Sequence, residues 1–253
     1  MDDLKGKAVL ITGASTGIGA AVARAFGAQG ARVAVHYNRS KVEAEAVAAD
    51  VEKAGGKALL VSGDVRDGAA ISNILADTAA GFGRIDVLIN NAGGLIARCP
   101  IEEVTEELFA DVININARSA IIAIREAVPY FRKQGSGNVI NVTSVAARHG
   151  GGPGASLYAG AKGFISTVTH GLAKELAKDG IRVNAVSPGV VTTPFHEKYS
   201  TPQQLDAMRA TIPMGRLGMP DECVGAFLYL ASDSLSSYVT GQIIEVNGGQ
   251  YMP

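Results

Sequence analysis

Short apolar runs alternate with longer Ala-rich stretches along the whole chain. KAVLIT is followed by IGAAVARAFGAQG, ARVAVHY and SKVEAEAVAADVEKAG, and the pattern continues through KALLVSGD, IDVLINNAG, NVINVTS, IRVNAVSPG and QIIEVNGG. Runs such as VLI and VLIN lack polar alternation, as parallel strands covered on both faces do. Strand–helix alternation of this kind predicts an α/β fold with a doubly wound parallel sheet. Ser40 with Glu43 reads as a capping box opening one helix. Thr201-Pro202-Gln203-Gln204 reads as another, with proline at the first helical position. No linker, low-complexity tract or repeat interrupts the pattern, so residues 1–253 are expected to form one domain.

Composition narrows the partners. Hydrophobic residues make up 47% of the 253 and charged residues 19%, enough for a large core and too apolar for disorder. Net charge is −1 with no basic stripe, which excludes nucleic acid as an expected partner. No apolar stretch reaches the roughly 20 residues of a membrane span. The opening MDDLKGKAVLITG is acidic and enters a strand at once, unlike a secretory signal. Cys99 and Cys223 form neither a metal-like spacing nor a disulfide framework. A soluble, cytoplasmic protein is the expectation.

The candidate chemistry begins at Thr12-Gly13-Ala14-Ser15-Thr16-Gly17-Ile18-Gly19, between the first strand and the first helix. Glycines there let the backbone turn tightly against a pyrophosphate that the helix N-terminus attracts. Gly13, Ser15, Thr16, Gly17, Ile18 and Gly19 are therefore candidate dinucleotide contacts. At the end of the second strand an NAD site usually places an acid for the ribose hydroxyls. This chain offers Asn38, Arg39 and Ser40 and no Asp or Glu. Arg39 could clamp a 2′-phosphate and Ser40 could bond it, so NADP(H) is favoured and NAD(H) is possible. Asp64-Val65 and Asn91-Ala92-Gly93 close two further strands at the same sheet edge. There Asp64 could accept from an adenine amino group, and the small residues would admit the cofactor.

Farther on, Ser144 ends a strand, with Thr143 expected on its opposite face. Tyr158 and Lys162 are four residues apart and share one helix face. A phenol beside an ammonium should have its pKa lowered. Reaching neutrality from about 10 needs roughly 4 kcal/mol. Asn116 is a polar residue in the apolar helical stretch DVININARSA. Taken singly, each has an ordinary reading: a tyrosine bonding its hydroxyl, an asparagine marking a kink.

Together TGASTGIG, NNAG, Asn116, Ser144, Tyr-x-x-x-Lys and the later PG match, in order and approximate spacing, the short-chain dehydrogenase/reductase family. The resemblance runs from Lys7 to the closing GQIIEVNGG and is strongest to 3-oxoacyl-acyl-carrier-protein reductases and glucose-dehydrogenase-like members. It implies a Rossmann sheet of about seven strands with helices on both faces, and metal-free hydride transfer between a nicotinamide and a carbonyl or secondary alcohol. It makes Tyr158 the acid or base and Lys162 the grip on the nicotinamide ribose. Ser144 becomes the partner of the substrate oxygen and Asn116 the holder of a proton-carrying water. Pro188, Gly189, Val191 and Thr193 become a nicotinamide-side loop, followed by a substrate lid over about 190–217. A 3-oxoacyl thioester is one implied substrate and a sugar or cyclic alcohol the alternative; a catalytically silent nucleotide-binding regulator is more remote. Arg132, Lys133 and Lys178 are candidate contacts for an acyl carrier, weakened by Asp179. His196, Glu197 and Tyr199 read as a solvated lid face. Surplus apolar residues in EELFADVININARSAIIAIREAVPYF, with the family habit, point to a homotetramer. The Ser144–Tyr158 gap is one residue longer than the commonest family pattern, and the GGGPG stretch is where the extra residue is expected.

Overall fold

The computed structural model describes every residue from Met1 to Pro253. Seven strands, β1 (Ala8–Ile11), β2 (Arg32–Tyr37), β3 (Lys57–Ser62), β4 (Val87–Asn90), β5 (Gly137–Val142), β6 (Ile181–Pro188) and β7 (Ile243–Val246), form one sheet. Its order is β3-β2-β1-β4-β5-β6-β7, and every pairing is parallel. The chain winds outward from β1 to one side and then returns to wind from β4 to the other. The crevice above β1 and β4 is therefore the topological switch point, where such sheets bind ligands.

Both faces of the five inner strands are buried, which is why their sequences show no alternation, while the edge strands β3 and β7 are partly exposed. Val9 and Ile11 of β1 join the core on one side, with Phe26, Phe227 and Leu230. Leu10 between them joins the other side, with Ile71, Phe131 and Leu176. The first side is covered by α1 (Gly17–Ala28), α2 (Lys41–Lys53) and, from the far end of the chain, the helix Pro220–Ala231. On the second lie α3 (Gly68–Phe82) and a long rod made of α4 (Glu106–Ile113) and α5 (Ser119–Gln134), joined through a single π-helical stretch at Asn114–Arg118. After a short α6 (Ala146–His149), α7 (Ser156–Leu176) packs beside the rod.

Helix starts show what local sequence can and cannot decide. At Thr201 both halves of the capping box form: its hydroxyl accepts from Gln204 N at 3.2 Å, and Gln204 Oε1 accepts from Thr201 N at 2.9 Å. At Ser40 the expected box is absent. Its backbone sits at φ −85°, ψ 62°, away from the usual extended N-cap geometry, and its hydroxyl makes no capping bond.

Polar side chains inside the sheet are joined in a chain. Asn90 Nδ2 donates to Asn141 Oδ1 at 2.9 Å, and Asn141 Nδ2 donates to Thr169 Oγ1 at 3.0 Å, tying β4 to β5 and to α7. Asn141 is fully buried. Replacing it with leucine strands the Asn90 donor and removes a bond to Thr169. Each stranded buried group costs about 1–3 kcal/mol, so Asn141→Leu should lower unfolding free energy by roughly 3 kcal/mol. Urea titration checks this; an unchanged midpoint would show the network to be dispensable.

The basic residues considered for an acyl carrier lie elsewhere. Arg132 and Lys133 end α5, directly before β5 begins, and Lys178 directly precedes β6. They thus sit at the amino edge of the sheet, opposite the crevice, and Arg132 Nε is paired with Asp179 Oδ2 at 2.8 Å.

Candidate active site

A cleft of about 1000 Å³ opens at the carboxyl edge of the sheet. Every residue singled out above for nucleotide or chemistry lines it except Asn116, which lies directly behind Gly93 and Gly94.

At the phosphate end, Gly13 (φ 63°) and Gly17 (φ 56°) hold left-handed backbone that side chains disfavour. A Cβ on Gly19 would lie 2.3 Å from Gly13 O and 2.5 Å from Asn91 Nδ2. The turn is braced from outside: Asn91 Nδ2 donates to the carbonyls of Thr12 and Gly13, both at 2.9 Å. His36 adds a brace the sequence did not suggest. Its buried ring accepts from Gly13 N at 2.9 Å through Nδ1 and bonds Gly63 O at 3.0 Å through Nε2. Burial holds its pKa below the ordinary range, so the ring is neutral with its proton on Nε2. Thr16, the residue before α1, makes no side-chain cap, which leaves the first amides of the helix directed at the cleft. Such a glycine cradle, with an uncapped helix start, fits a pyrophosphate.

Beyond it, Arg39 is exposed and takes part in no ion pair, and Ser40 leaves its hydroxyl free. Asp64 is the sole carboxylate lining the cleft, and Arg66 claims it: Nη2 lies 2.7 Å and Nε 3.1 Å from Oδ2. Arg66 also reaches Asp111 at 3.1 Å. The Arg66 guanidinium, supported by Asn38, holds the Asp64 carboxyl below its usual range. Arg66 was not singled out from the sequence; its main partner Asp64 is two residues away, and only its second partner, Asp111, depends on where α4 passes. Val65 is buried beneath, and Thr193 faces Gly17 across the cleft, its Cγ2 3.3 Å from where a Cβ on that glycine would stand.

At the chemical end, Tyr158 and Lys162 do share a face of α7, with Lys162 Nζ 5.8 Å from the Tyr158 ring centre. Lys162 is buried, and its ammonium donates to Val142 O at 2.7 Å. Thr143, on the opposite face from Ser144, accepts nothing from the site; its hydroxyl donates to Lys162 O at 2.8 Å and so anchors that turn. The expected lowering of the Tyr158 pKa is not found. Burial raises it, and a bond with Ser144 only partly opposes the rise. Lys162 is itself pushed down to about 8 by burial, so its charge offers the phenol less help than two neighbouring residues on paper suggest.

Asn116 sits within the π-helical stretch. Its Nδ2 donates to Gly94 O at 2.7 Å and to Val112 O at 2.9 Å, and its Oδ1 accepts from Gly94 N at 3.0 Å. The side chain therefore fixes the Asn91–Gly94 turn, and only the second lone pair of Oδ1 is left for a water. Gly93 must be glycine: its Cβ would stand 2.7 Å from Asn116 Oδ1 and 3.2 Å from Lys162 Nζ.

Gly189 follows β6, where a Cβ would meet Asn247 Cα at 2.7 Å, and Val191 bridges Gly218. Between those two residues the chain makes a helical excursion, α8 (Pro194–Tyr199) and α9 (Pro202–Ala210), over the cleft. The remaining helices are α10, the Pro220–Ala231 helix already placed, and α11 (Asp233–Ser236). Phe195 of α8 stacks on the catalytic-end tyrosine, ring centres 5.6 Å apart, and on Tyr199 at 5.1 Å. His196 and Tyr199 are half-buried, not solvated as expected, while Glu197 is exposed and lies off the cleft.

A doubly wound sheet, a glycine cradle at its switch point and a Ser–Tyr–Lys group facing the cleft, its lysine buried, define a nicotinamide-dependent oxidoreductase. A family model described as enoyl-(acyl carrier protein) reductase matches residues 13–250. The chain belongs to the short-chain dehydrogenase/reductase family. It is 37% identical to a 3-oxoacyl-[acyl-carrier-protein] reductase of Synechocystis sp. over the full length of both chains. Among solved structures it resembles an NADH-dependent reductase responsible for alginate metabolism, at 36% identity and TM-score 0.92, covering 100% of both chains. The complex of that reductase with NAD superposes with TM-score 0.89 at 35% identity, over 100% of this chain and 99% of the other. No helix is long and apolar enough to cross a membrane.

Proposed function

We propose that the protein reduces the carbonyl of a small free molecule, with NADP(H) as the preferred nucleotide and Tyr158 as the proton donor. The observation that carries the nucleotide choice is the end of β2. Arg39 and the Ser40 hydroxyl have no protein partner there, and the one nearby acid, Asp64, is already neutralised by Arg66. A 2′-phosphate would meet cations and no free carboxylate. The NADH dependence of the alginate-pathway reductase is the competing precedent.

The glycine cradle and the first turn of α1 would hold the pyrophosphate, Lys162 the nicotinamide ribose, and Thr193 with the Pro188–Val191 segment the ring side. Nicotinamide, when bound, supplies the hydride that the carbonyl carbon takes. Ser144 Oγ donates to the carbonyl oxygen and stabilises its growing charge. Tyr158 Oη gives that oxygen its proton. A raised pKa keeps the phenol protonated at neutral pH, the form a reductase needs. The Lys162 ammonium, facing the ring, then stabilises the phenolate left behind. Asn116 keeps the turn under the ring in place.

The name of the Synechocystis relative brings a 3-oxoacyl thioester to this chain as a substrate class. The placement of Arg132, Lys133 and Lys178 at the far sheet edge favours a substrate not tethered to a carrier. The α8–α9 excursion serves as the lid. A cytoplasmic homotetramer suits the same reading, with exposed Phe109 on α4 and Phe164 on α7 as surface a partner copy would cover.

Fluorescence titration of NADPH and NADH tests the nucleotide assignment. Arg39→Ala should weaken NADPH roughly tenfold to a hundredfold, the worth of one charge-assisted contact, and leave NADH nearly unchanged. Equal loss for both nucleotides would remove the phosphate-clamp role.

A further inference from the structure

Arg98 is a cation with no anion. It belongs to none of the ion pairs in the molecule, although it is half-buried and lines the cleft. Its Nε donates to Tyr199 O at 2.7 Å and its Nη1 to Pro153 O at 3.0 Å. Two neutral carbonyls, one on α8 and one on the glycine-rich 150–154 loop, thus fix the guanidinium plane at the seam of the substrate side. Nη2 has no protein partner. The preceding backbone is constrained to place it: Ile96 has φ 66°, a left-handed conformation that a β-branched residue adopts only when its surroundings impose it. Cys99 N bonds Gly154 O at 3.0 Å, and a Cβ on Gly154 would lie 2.9 Å from that nitrogen, so the two loops fit closely.

The surroundings offer no compensating negative charge. Lys198 lines the cleft with Arg98, and the sole carboxylate there, Asp64, is paired with Arg66. Burial lowers the Arg98 pKa, and burial first and the Arg98 charge second lower that of His196, which leaves the His196 ring neutral beside the guanidinium. An unpaired, partly desolvated guanidinium is costly to the folded protein unless an anion completes it. The chain of rings from Tyr199 through Phe195 to Tyr158 connects this position to the proton donor.

We propose that the carbonyl substrate carries an anionic group, a carboxylate or a phosphate, which docks on the free edge of Arg98 beside Lys198. This rests on the reductase reading above and names its substrate class. A planar guanidinium fork held at two of its nitrogens is preorganised for an oxyanion.

The test compares small ketones as matched sets: oxo acids with one to five carbons between carbonyl and carboxylate, their methyl esters, and a phosphorylated hydroxyketone beside its unphosphorylated form. Turnover is measured with NADPH and with NADH, and binding by isothermal titration to protein preloaded with each oxidised nucleotide. At least one acidic member should exceed its neutral partner in kcat/KM by roughly tenfold to a hundredfold, mostly through KM, and should bind measurably where the neutral form does not. Arg98→Gln should bring that ratio close to one, and Arg98→Lys should restore part of it. Lys198→Glu, on an exposed lid position, should lower the ratio severalfold without touching the Arg98 contacts. Neutral members turned over as well as acidic ones would overturn the proposal, as would an Arg98→Gln variant losing both equally, the mark of a latch alone. Failure of the NADP assignment would show separately, as a swap of nucleotide with the acid-to-neutral ratio intact.

Discussion

Tyr158→Phe is expected to lower kcat for carbonyl reduction by about a thousandfold or more, while NADPH binds within a few fold of wild type. The change removes one oxygen from a half-buried ring that also packs on Phe195, so the aromatic stack survives and the proton does not. General acid catalysis contributes roughly 10²–10⁴-fold, and the neighbouring Ser144 hydroxyl is needed on the same oxygen. Stopped-flow turnover beside nucleotide titration separates the two effects; retention of a tenth of the activity would remove Tyr158 from the role of donor. The pH profile gives a second handle. The Tyr158 pKa is raised, so the donor stays protonated through neutrality. Lys162 titrates at about 8 in the free protein, so its charge is present below that pH and lost above it. Reduction by the wild type should therefore hold steady through neutrality and decline as pH rises past about 8. A rise in rate over the same range would contradict the assignment of proton donor and supporting cation.

Gly19→Ala should abolish measurable nucleotide binding, with Kd for NADPH raised at least about a hundredfold. The added methyl would fall 2.3 Å from Gly13 O, a backbone atom, and 3.1 Å from Ala14 Cα. Neither can rotate away, so the turn must move as a unit. Its braces from Asn91 and His36 would resist or break. The effect is confined to the cleft end of α1, and circular dichroism should report an intact fold. Gly225→Ala is the matched control: it lies in α10, is exposed, and a Cβ there meets nothing within 4 Å. That substitution should keep binding and add about 0.5–1 kcal/mol of stability through helix propensity alone. Normal NADPH affinity in Gly19→Ala would mean the turn is looser than its packing indicates.

What could be read from the chain and what could not divides along the range of the interactions. Strands were legible because burial on two faces leaves a mark on every residue, as at Val9, Leu10 and Ile11. The glycine cradle was legible because its close approaches are to its own strand's neighbours. The Ser40 cap failed because the turn after β2 takes a backbone shape that local sequence does not encode. The Tyr158 pKa was misjudged because a four-residue spacing reveals proximity to Lys162 and says nothing of the burial that outweighs it. Arg98 escaped notice for a related reason. Its partners, the carbonyls of Pro153 and Tyr199, come from segments that only the finished fold brings near, as does the second partner of Arg66, Asp111.

The π-helical stretch at Asn114–Arg118 has a bearing on engineering. It acts as a phase slip in an otherwise periodic rod. With one residue more than an α-helical turn accommodates, the residues before and after it are offset by about 100° relative to an unbroken helix. That offset lets Val112 and Asn116 serve the cleft while Ala123, Ile124, Ala127 and Phe131 still meet the sheet. A designer who trims this defect to obtain a straighter, better-bonded helix would align one of these faces only by misaligning the other. The irregular turn is thus the hinge pin of two incompatible periodicities, and the length of this segment is as much a part of the site as any side chain in it.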